Sequence, residues 1–140
     1  GINAKNSEFH AAMGIAIFPY LDSIIEKRKS ISEHYTSLLK NLNLQVPQAL
    51  PDTIYNYGYY PVVFKSEADL LKIKAHLFSQ DINTRRYFYP SLNELPYLKQ
   101  KFACPVSEDI SRRVLCLPLY PDLEQDSVEK ICSLIQTQLA

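Results

Sequence analysis

Apolar side chains recur at steps of three and four residues along the first part of the chain, which is the spacing of one face of an α-helix. This pattern runs from Ser7 to about Leu39. Ser7 suits an N-cap, because its hydroxyl can accept a hydrogen bond from a free N–H of the first turn. Pro19 lies inside the pattern and has no backbone donor, so we expect a kink or a break there, with Asp22 capping the next segment. Residues 1–40 are therefore predicted to form a linking helix or a kinked helix pair.

From position 54 onward, short segments typical of strands alternate with segments typical of helices. Aromatic and β-branched residues indicate the strands, and apolar residues at helical spacing indicate the helices. The predicted segments are strands at 57–64, 82–88 and 114–117, and helices at 66–79, 107–112 and from Asp126 to about Leu139. Two longer helices on one face of a small, mainly antiparallel sheet form a two-layer α+β domain. We therefore predict a long N-terminal helix followed by a β-α-β-β-α sandwich over residues 54–140, within a single domain of residues 1–140.

The apolar positions of these segments predict which side chains form the core. The predicted core consists of Val62, Phe64, Leu70, Ile73, Leu77, Leu115, Leu117, Ile131 and Ile135. The first half of the long helix, from Phe9 to Ile17, is also apolar and rich in alanine, although a two-layer domain does not need it. This part of the helix is therefore expected to pack against something outside the chain.

Composition and charge exclude several classes of protein. Apolar residues make up 46% of the 140 residues, which is enough for a buried core. The 15 Lys and Arg residues balance the 15 Asp and Glu residues, so the basic surface of a nucleic-acid-binding protein is not expected. No apolar run approaches the length of a membrane span, and no signal peptide is visible. These features predict a soluble, cytoplasmic protein that binds neither nucleic acid nor membrane.

The cysteines and the first residue add two expectations. Cys104, Cys116 and Cys132 lie far apart and form neither a C-x-x-C pair nor a Cys/His cluster, so no metal site is predicted. An odd number with long gaps is not a disulfide framework, and we expect reduced, mostly buried thiols. The chain begins with Gly1 rather than Met, so we expect it to start at the edge of a fragment or at a scar left by tag removal.

The most unusual stretch of the sequence is the run RRYFYP at residues 85–90. Two arginines beside three aromatic rings at the end of a strand can grip a phosphate or a nucleotide. In the alternative interpretation, the rings pack in the core and the arginines lie at its rim. The helix start that follows Asn3 and Lys5 can also face an anion. No complete catalytic set is visible, so no catalytic residue is predicted.

Five stretches, in the right order, resemble motifs of the DegT/DnrJ/StrS family of sugar aminotransferases. They are residues 1–14 (GINAKNSEFHAAMG), Leu21–Asp22 with Arg28, residues 56–62 (NYGYYPV), residues 84–90 (TRRYFYP) and residues 114–120 (VLCLPLY). Asn6 departs from the family pattern, in which Met usually precedes Ser-Glu. The resemblance covers essentially the whole chain and is closest to the members that aminate nucleotide-linked deoxysugars.

The resemblance implies a pyridoxal-phosphate (PLP) enzyme of the aspartate aminotransferase fold that works as a homodimer. This chain resembles only its C-terminal part, the small domain. In the family, the lysine that bonds to the cofactor lies upstream in a large domain, and its motif does not occur here. The implied function is therefore that of a C-terminal fragment, inactive alone, of an aminotransferase for a nucleotide-linked keto-deoxysugar in cell-surface polysaccharide or deoxysugar biosynthesis. We expect this chain alone to bind no PLP, and we expect its partner to be a second copy or the missing large domain.

The resemblance also implies roles for four residues. Asn3 matches the asparagine that reaches across the dimer to the cofactor phosphate of the other subunit. Lys5 matches the basic position that faces the substrate or the carboxylate-bearing amino donor, although a lysine lacks the planar fork that binds a carboxylate through two hydrogen bonds. Tyr87 and Tyr89 match an aromatic segment near the sugar-nucleotide site.

Two other functions remain open. The first is a stand-alone binding module that uses its sheet and its tyrosines to hold a nucleotide or a single strand. The zero net charge disfavours nucleic acid as the partner. The second is a dimerisation module that is the product of a truncated gene.

Overall fold

In the computed structural model, which describes residues 5–100 and 102–139, five α-helices and two β-strands follow one another along the chain. The helices are α1 (Glu8–Ile17), α2 (Leu21–Leu39), α3 (Glu67–Phe78), α4 (Pro105–Arg113) and α5 (Gln125–Leu139). The strands are β1 (Tyr60–Val63) and β2 (Val114–Leu117), and short 3-10 turns lie at Phe18–Tyr20 and Leu92–Glu94. A long N-terminal helical segment that leads into a mixed helix-and-strand unit is thereby confirmed.

Pro19 interrupts the N-terminal helix as predicted. α1 begins after Ser7, whose Oγ accepts a hydrogen bond of 3.3 Å from the His10 N–H, and the 3-10 turn around Pro19 joins α1 to α2. The prediction that Asp22 caps α2 is wrong, because α2 follows this turn directly and Tyr20 at the junction already has helical backbone angles. A chain that stays helical has no extended N-cap residue, so Asp22 lies in the first turn instead.

The two strands pair antiparallel. Tyr60 lies opposite Leu117, and Val63 lies opposite Val114. β1 is shorter than the strand predicted at 57–64, whereas β2 has the predicted bounds. Every residue of β2 is buried, so this strand lies within the core.

The predicted strand at 82–88 is wrong, and with it the β-α-β-β-α order. Within the described ranges, this segment pairs through one isolated bridge, in which Arg85 and Cys116 exchange backbone hydrogen bonds of 3.2 and 2.8 Å. In one direction the ladder cannot continue because Pro118 has no N–H. In the other direction the Val114 N–H is already used, since it closes the last turn of α4. The observed order after α2 is therefore β-α-α-β-α.

The core lies between the sheet and helices α2, α3 and α5. α5 contacts both α2 and α3, and α3 contacts β2. All of the predicted core side chains are buried, so this prediction is confirmed. The structure adds further side chains that are almost completely inaccessible, among them Tyr35, Leu39, Tyr60, Val128 and Cys132.

A stacked pair of tyrosines joins α2 to the sheet. The ring centroids of Tyr35 and Tyr60 lie 4.9 Å apart, and both side chains are buried. Their hydroxyls are satisfied, since Tyr35 donates to the Pro118 carbonyl at 3.1 Å and Tyr60 shares a hydrogen bond of 2.9 Å with Thr36. Burial raises the pKa of Tyr60 to about 12 and raises the pKa of Tyr35 strongly, so both rings stay uncharged well above neutral pH.

α1 leaves an apolar face uncovered. None of its residues is buried, and Phe9, Met13 and Ile17, which follow one another at four-residue steps, are 72%, 49% and 51% exposed. The described part of the chain therefore offers no cover for this face, as the sequence predicted. None of the described helices is both long enough and apolar enough to span a membrane.

Replacing Leu77 by alanine tests the placement of the core. Leu77 on α3 is inaccessible to solvent, so Leu77→Ala should lower the free energy of unfolding by roughly 2–5 kcal/mol, through lost burial and the cavity left behind. Leu71→Ala is the matched control, because Leu71 lies on the same helix but is 48% exposed. Urea denaturation gives the free energy of unfolding of the parent and of both variants. A loss below about 0.5 kcal/mol for Leu77→Ala, the size expected of a surface change, would contradict the placement.

The buried tyrosines predict that the protein loses stability in alkali. In the unfolded chain Tyr60 ionises near its ordinary pKa of 10.0, whereas in the folded protein it stays protonated up to about 12. The unfolded state therefore releases its proton first as the pH rises above 10, and the free energy of unfolding falls over that range. Tyr60→Phe should flatten this fall, because phenylalanine does not ionise, whereas Tyr97→Phe at an exposed position should leave it unchanged. The urea midpoint of unfolding is measured from neutral pH to strong alkali. If the midpoint falls with pH as steeply in Tyr60→Phe as in the parent, the prediction is refuted.

Candidate functional site

A hollow of about 410 Å³ opens between α2, the turn before β1 and the end of β2. The residues around it are Arg28, Gly58, Tyr59, Asn83, Arg85, Tyr87 and the run 116–120, and we call it the Arg28–Arg85 hollow. Apart from Asn83, every one of these residues lies in a stretch whose sequence resembles the sugar aminotransferases. The fold thus brings four separate motif-like stretches to one opening.

Two arginines make the hollow positive. Arg28 on α2 donates a hydrogen bond of 2.6 Å from Nη2 to the Gly58 carbonyl, and its buried Nε finds no hydrogen-bond partner among the described residues. Arg85 is exposed and is anchored through its backbone by the bridge to Cys116. Within residues 5–100 and 102–139, neither guanidinium forms an ion pair. Two guanidinium groups without a neighbouring carboxylate favour the binding of an anion such as a phosphate.

Tyrosine rings hold Arg85 at the edge of the hollow. The rings of Tyr59 and Tyr87 meet edge to face, with their centroids 5.3 Å apart. The Arg85 guanidinium lies 5.7 Å from the centroid of the Tyr87 ring, and its Nη1 donates a hydrogen bond to the Tyr87 hydroxyl. The hollow therefore combines a positively charged edge with aromatic rings that can contact a ring of a ligand.

Arg85 and Arg86 are adjacent in the sequence but contact different parts of the structure. Arg86 does not line the hollow. Its Nη2 donates hydrogen bonds to Glu67 at 2.8 Å and to the Arg112 carbonyl at 2.9 Å, and its guanidinium lies 3.6 Å from the centroid of the Tyr89 ring. Of the two interpretations from the sequence, the packing of the rings in the core is wrong, because Phe88 and Tyr89 are 69% and 49% exposed. The binding of a phosphate or a nucleotide stays a prediction. Arg85 faces an opening that can take an anion, whereas Arg86 and Tyr89 pack together at the rim of the core.

The four site residues implied by the resemblance occupy different places. Tyr87 lines the Arg28–Arg85 hollow, whereas Tyr89 contacts Arg86 and is not part of the lining. Lys5 is exposed ahead of α1. Asn3 lies outside the described residues. The roles of all four stay predictions.

Sequence reasoning missed Arg28 and Tyr59 as site residues. In the sequence, Arg28 is one of four successive charged residues at positions 26–29 of the predicted helix, and Tyr59 is one residue of the strand predicted at 57–64. The hydrogen bond from Arg28 to Gly58 joins positions that are 30 residues apart, and no local pattern shows such a contact. The available signal was that both residues lie in stretches that resemble the family.

Cys116 lines the hollow but is poorly suited to act as a nucleophile. Burial raises the pKa of its thiol, against the opposing effect of the Tyr87 backbone N–H beside the sulfur. The thiol is therefore protonated at neutral pH, and the thiolate is the reactive form. Among the described residues, no histidine lines the hollow, and no cluster of three or more His, Cys, Asp or Glu side chains could bind a metal ion.

Comparison with known proteins accounts for these motif-like stretches. The sequence profile of the DegT/DnrJ/EryC1/StrS aminotransferase family matches residues 1–136. The chain belongs to this family. The resemblance inferred from the motifs is thereby confirmed over nearly the whole chain.

The relatives of this chain include proteins that are named as enzymes of nucleotide sugars. The chain is 32% identical, over 96% of its length, to a dTDP-4-amino-4,6-dideoxy-D-glucose transaminase of Escherichia coli and, again at 32% over 96%, to a GDP-perosamine synthase of Vibrio cholerae. A crystal structure of DesI in the presence of its TDP-sugar product matches 98% of the chain with a TM-score of 0.86 and 28% identity. The chain spans only 38% of the length of the two curated relatives and 36% of the DesI chain.

Proposed function

We propose that the chain is the C-terminal part of a PLP-dependent aminotransferase that acts on a nucleotide-linked keto-deoxysugar, in cell-surface polysaccharide or deoxysugar biosynthesis. The observation that carries this proposal is the family match over residues 1–136. The names of the relatives support a nucleotide sugar as the substrate. Their greater length supports a further, large domain beside this chain.

The chain's own residues fit the binding part of such an enzyme better than its covalent chemistry. PLP, when bound, supplies the electron sink for moving an amino group, and enzymes of this kind bond it to a lysine. Among the described residues, no lysine lines the Arg28–Arg85 hollow. The resemblance places the cofactor lysine upstream, in a large domain outside this chain. The chain alone would then hold no covalently bound PLP and would be inactive. Asn3, which lies outside the described residues, is the residue that the resemblance assigns to the cofactor phosphate of a partner subunit.

Within this proposal, the Arg28–Arg85 hollow holds the phosphate groups of the nucleotide. Arg28 and Arg85 supply the N–H donors, and charge-assisted hydrogen bonds of this kind are strong. Tyr87 borders the bound group, while Tyr89 supports the same region through its contact with Arg86. Lys5 faces the substrate or the amino donor.

The same proposal specifies the architecture and the compartment. Residues 1–140 form one domain, the small C-terminal domain of the aspartate aminotransferase fold, with residues 1–40 as the linking helix pair and residues 54–140 as the α+β part. The uncovered face of α1 supports contact with the large domain or with the second subunit of a homodimer. The cysteines are free thiols, which supports a reducing, cytoplasmic compartment.

A stand-alone nucleotide-binding or dimerisation module is the second candidate, since the uncovered apolar face of α1 also suits a dimerisation surface. Reading the DNA upstream of the codon for Ile2 separates the two candidates. An open reading frame that encodes the cofactor-binding lysine motif would support the aminotransferase. A stop codon in that place would overturn it in favour of the module.

Replacing Arg85 by glutamine tests the hollow as a phosphate site. Hydrogen bonds to charged groups contribute roughly 1.5–3 kcal/mol, so Arg85→Gln should weaken the binding of inorganic pyrophosphate and of dTDP by about tenfold or more. Arg112→Gln is the matched control, because Arg112 pairs with Glu94 outside the hollow. Isothermal titration calorimetry measures each affinity. If the parent binds neither probe, or if both variants lose affinity equally, the phosphates do not bind here.

The uncovered face of α1 predicts self-association of the chain when nothing else covers it. Burying Phe9 or Met13 in such a contact would contribute about 1.5–3 kcal/mol each, so Phe9→Asp combined with Met13→Asp should give a monomer. Leu50→Asp combined with Ile54→Asp is the control, since both of these side chains are exposed elsewhere on the surface. Sedimentation at several concentrations measures the association. A parent that stays monomeric at high concentration, with slow amide exchange throughout residues 7–18, would show that the helix is not an interface.

A further inference from the structure

Arg86 connects the segment 84–90 to two helices. Its side chain is only 12% exposed, and its Nη2 contacts Glu67 in the first turn of α3 at 2.8 Å. The same nitrogen donates to the Arg112 carbonyl at the end of α4, at 2.9 Å. The guanidinium carbon lies over the Tyr89 ring, 3.6 Å from its centroid. One side chain therefore contacts α3, α4 and the far end of its own segment.

Apart from Arg86, this segment is held by the contact between the Tyr59 and Tyr87 rings and by its backbone. Its backbone pairs with β2 at a single residue, through the bridge between Arg85 and Cys116. An extended backbone points successive side chains to opposite sides, and the structure shows this alternation, since Arg85 and Tyr87 line the hollow and Arg86 does not. Anchoring Arg86 on one side therefore sets where Arg85 and Tyr87 lie on the other.

We propose that Arg86 is a positioning residue, which holds Arg85 and Tyr87 at the Arg28–Arg85 hollow without touching the ligand. The ligand part of this inference rests on the proposed function, whereas the positioning part rests on geometry alone. A planar guanidinium can stack on Tyr89 and donate to Glu67 at the same time, and a lysine cannot do both. Arg86 and Tyr89 would thus act on the substrate through their neighbours.

The reactivity of the Cys116 thiol reports whether the segment 84–90 stays in its place. Its sulfur lies beside the Tyr87 backbone N–H, and its side chain is nearly inaccessible in the folded protein. If the segment shifts, Cys116 becomes accessible. Cys132 lies on α5 and is buried in the core, so it reports global unfolding instead. Exposed Cys104 reacts freely, and peptide mapping separates the three thiols.

The test is the rate at which iodoacetamide alkylates each thiol in the complete chain. We expect Arg86→Gln to raise the rate at Cys116 by about tenfold with no change at Cys132, because only the local contact is lost. Losing a positive charge can only favour the protonated thiol, so charge alone cannot produce this increase. Arg112→Gln, the exposed control, should leave Cys116 unchanged.

Two further variants keep the test decisive if Arg86→Gln does not fold. Glu67→Gln weakens the ion pair while leaving the Tyr89 stack, and Arg86→Lys keeps the charge while losing the stack, so each should raise the Cys116 rate by a smaller factor. Tyr89→Phe keeps the ring and should behave like the parent. An unchanged rate at Cys116, or an equal rise at Cys116 and Cys132, would overturn the positioning role.

Pyrophosphate binding separates this inference from the proposed function. If both are correct, Arg86→Gln weakens pyrophosphate binding in parallel with the rise in Cys116 reactivity. If the parent binds no pyrophosphate while Cys116 still responds to Arg86→Gln, the phosphate site is wrong and the positioning role stands.

Discussion

The stacked tyrosines of α2 and β1 are the contact on which the rest of the structure depends. Tyr35 packs on Tyr60 and donates its hydroxyl to the Pro118 carbonyl, 83 positions further along the chain. A buried ring pair combines a large hydrophobic area with a preferred geometry, and its hydroxyls require partners. Because Tyr35 holds α2 against the end of β2, Arg28, about two helical turns earlier on the same face, reaches the opening formed by residues 116–120.

The sheet of the described residues has two strands, β1 and β2, and this determines how the segment 84–90 is held in place. Pro118 has no N–H to offer, and the Val114 N–H is used to close α4, so the segment 84–90 joins β2 only between Arg85 and Cys116. A full third strand would have fixed this segment through its backbone. In its place, side chains hold it, among them Arg86, which contacts Glu67, the Arg112 carbonyl and the Tyr89 ring.

Under the proposed function, the surface that results from these contacts binds the phosphate groups of the substrate. The Arg28–Arg85 hollow has cations and aromatic rings, none of the described residues that line it is a histidine or a lysine, and its thiol is kept protonated by burial. The proposed function assigns the covalent chemistry of the aminotransferase to residues outside this chain.

Local patterns in the sequence determined the helices, their break at Pro19 and the core side chains, because helical periodicity, a missing N–H and apolar burial act over short distances. The ordered motifs also identified the family. Only the tertiary structure decided that the segment 82–88 is no strand, since the competing demand on the Val114 N–H comes from α4. It likewise decided that Arg85 and Arg86 separate and that Arg28 joins Arg85, because these positions depend on contacts between residues tens of positions apart, which no local spacing encodes.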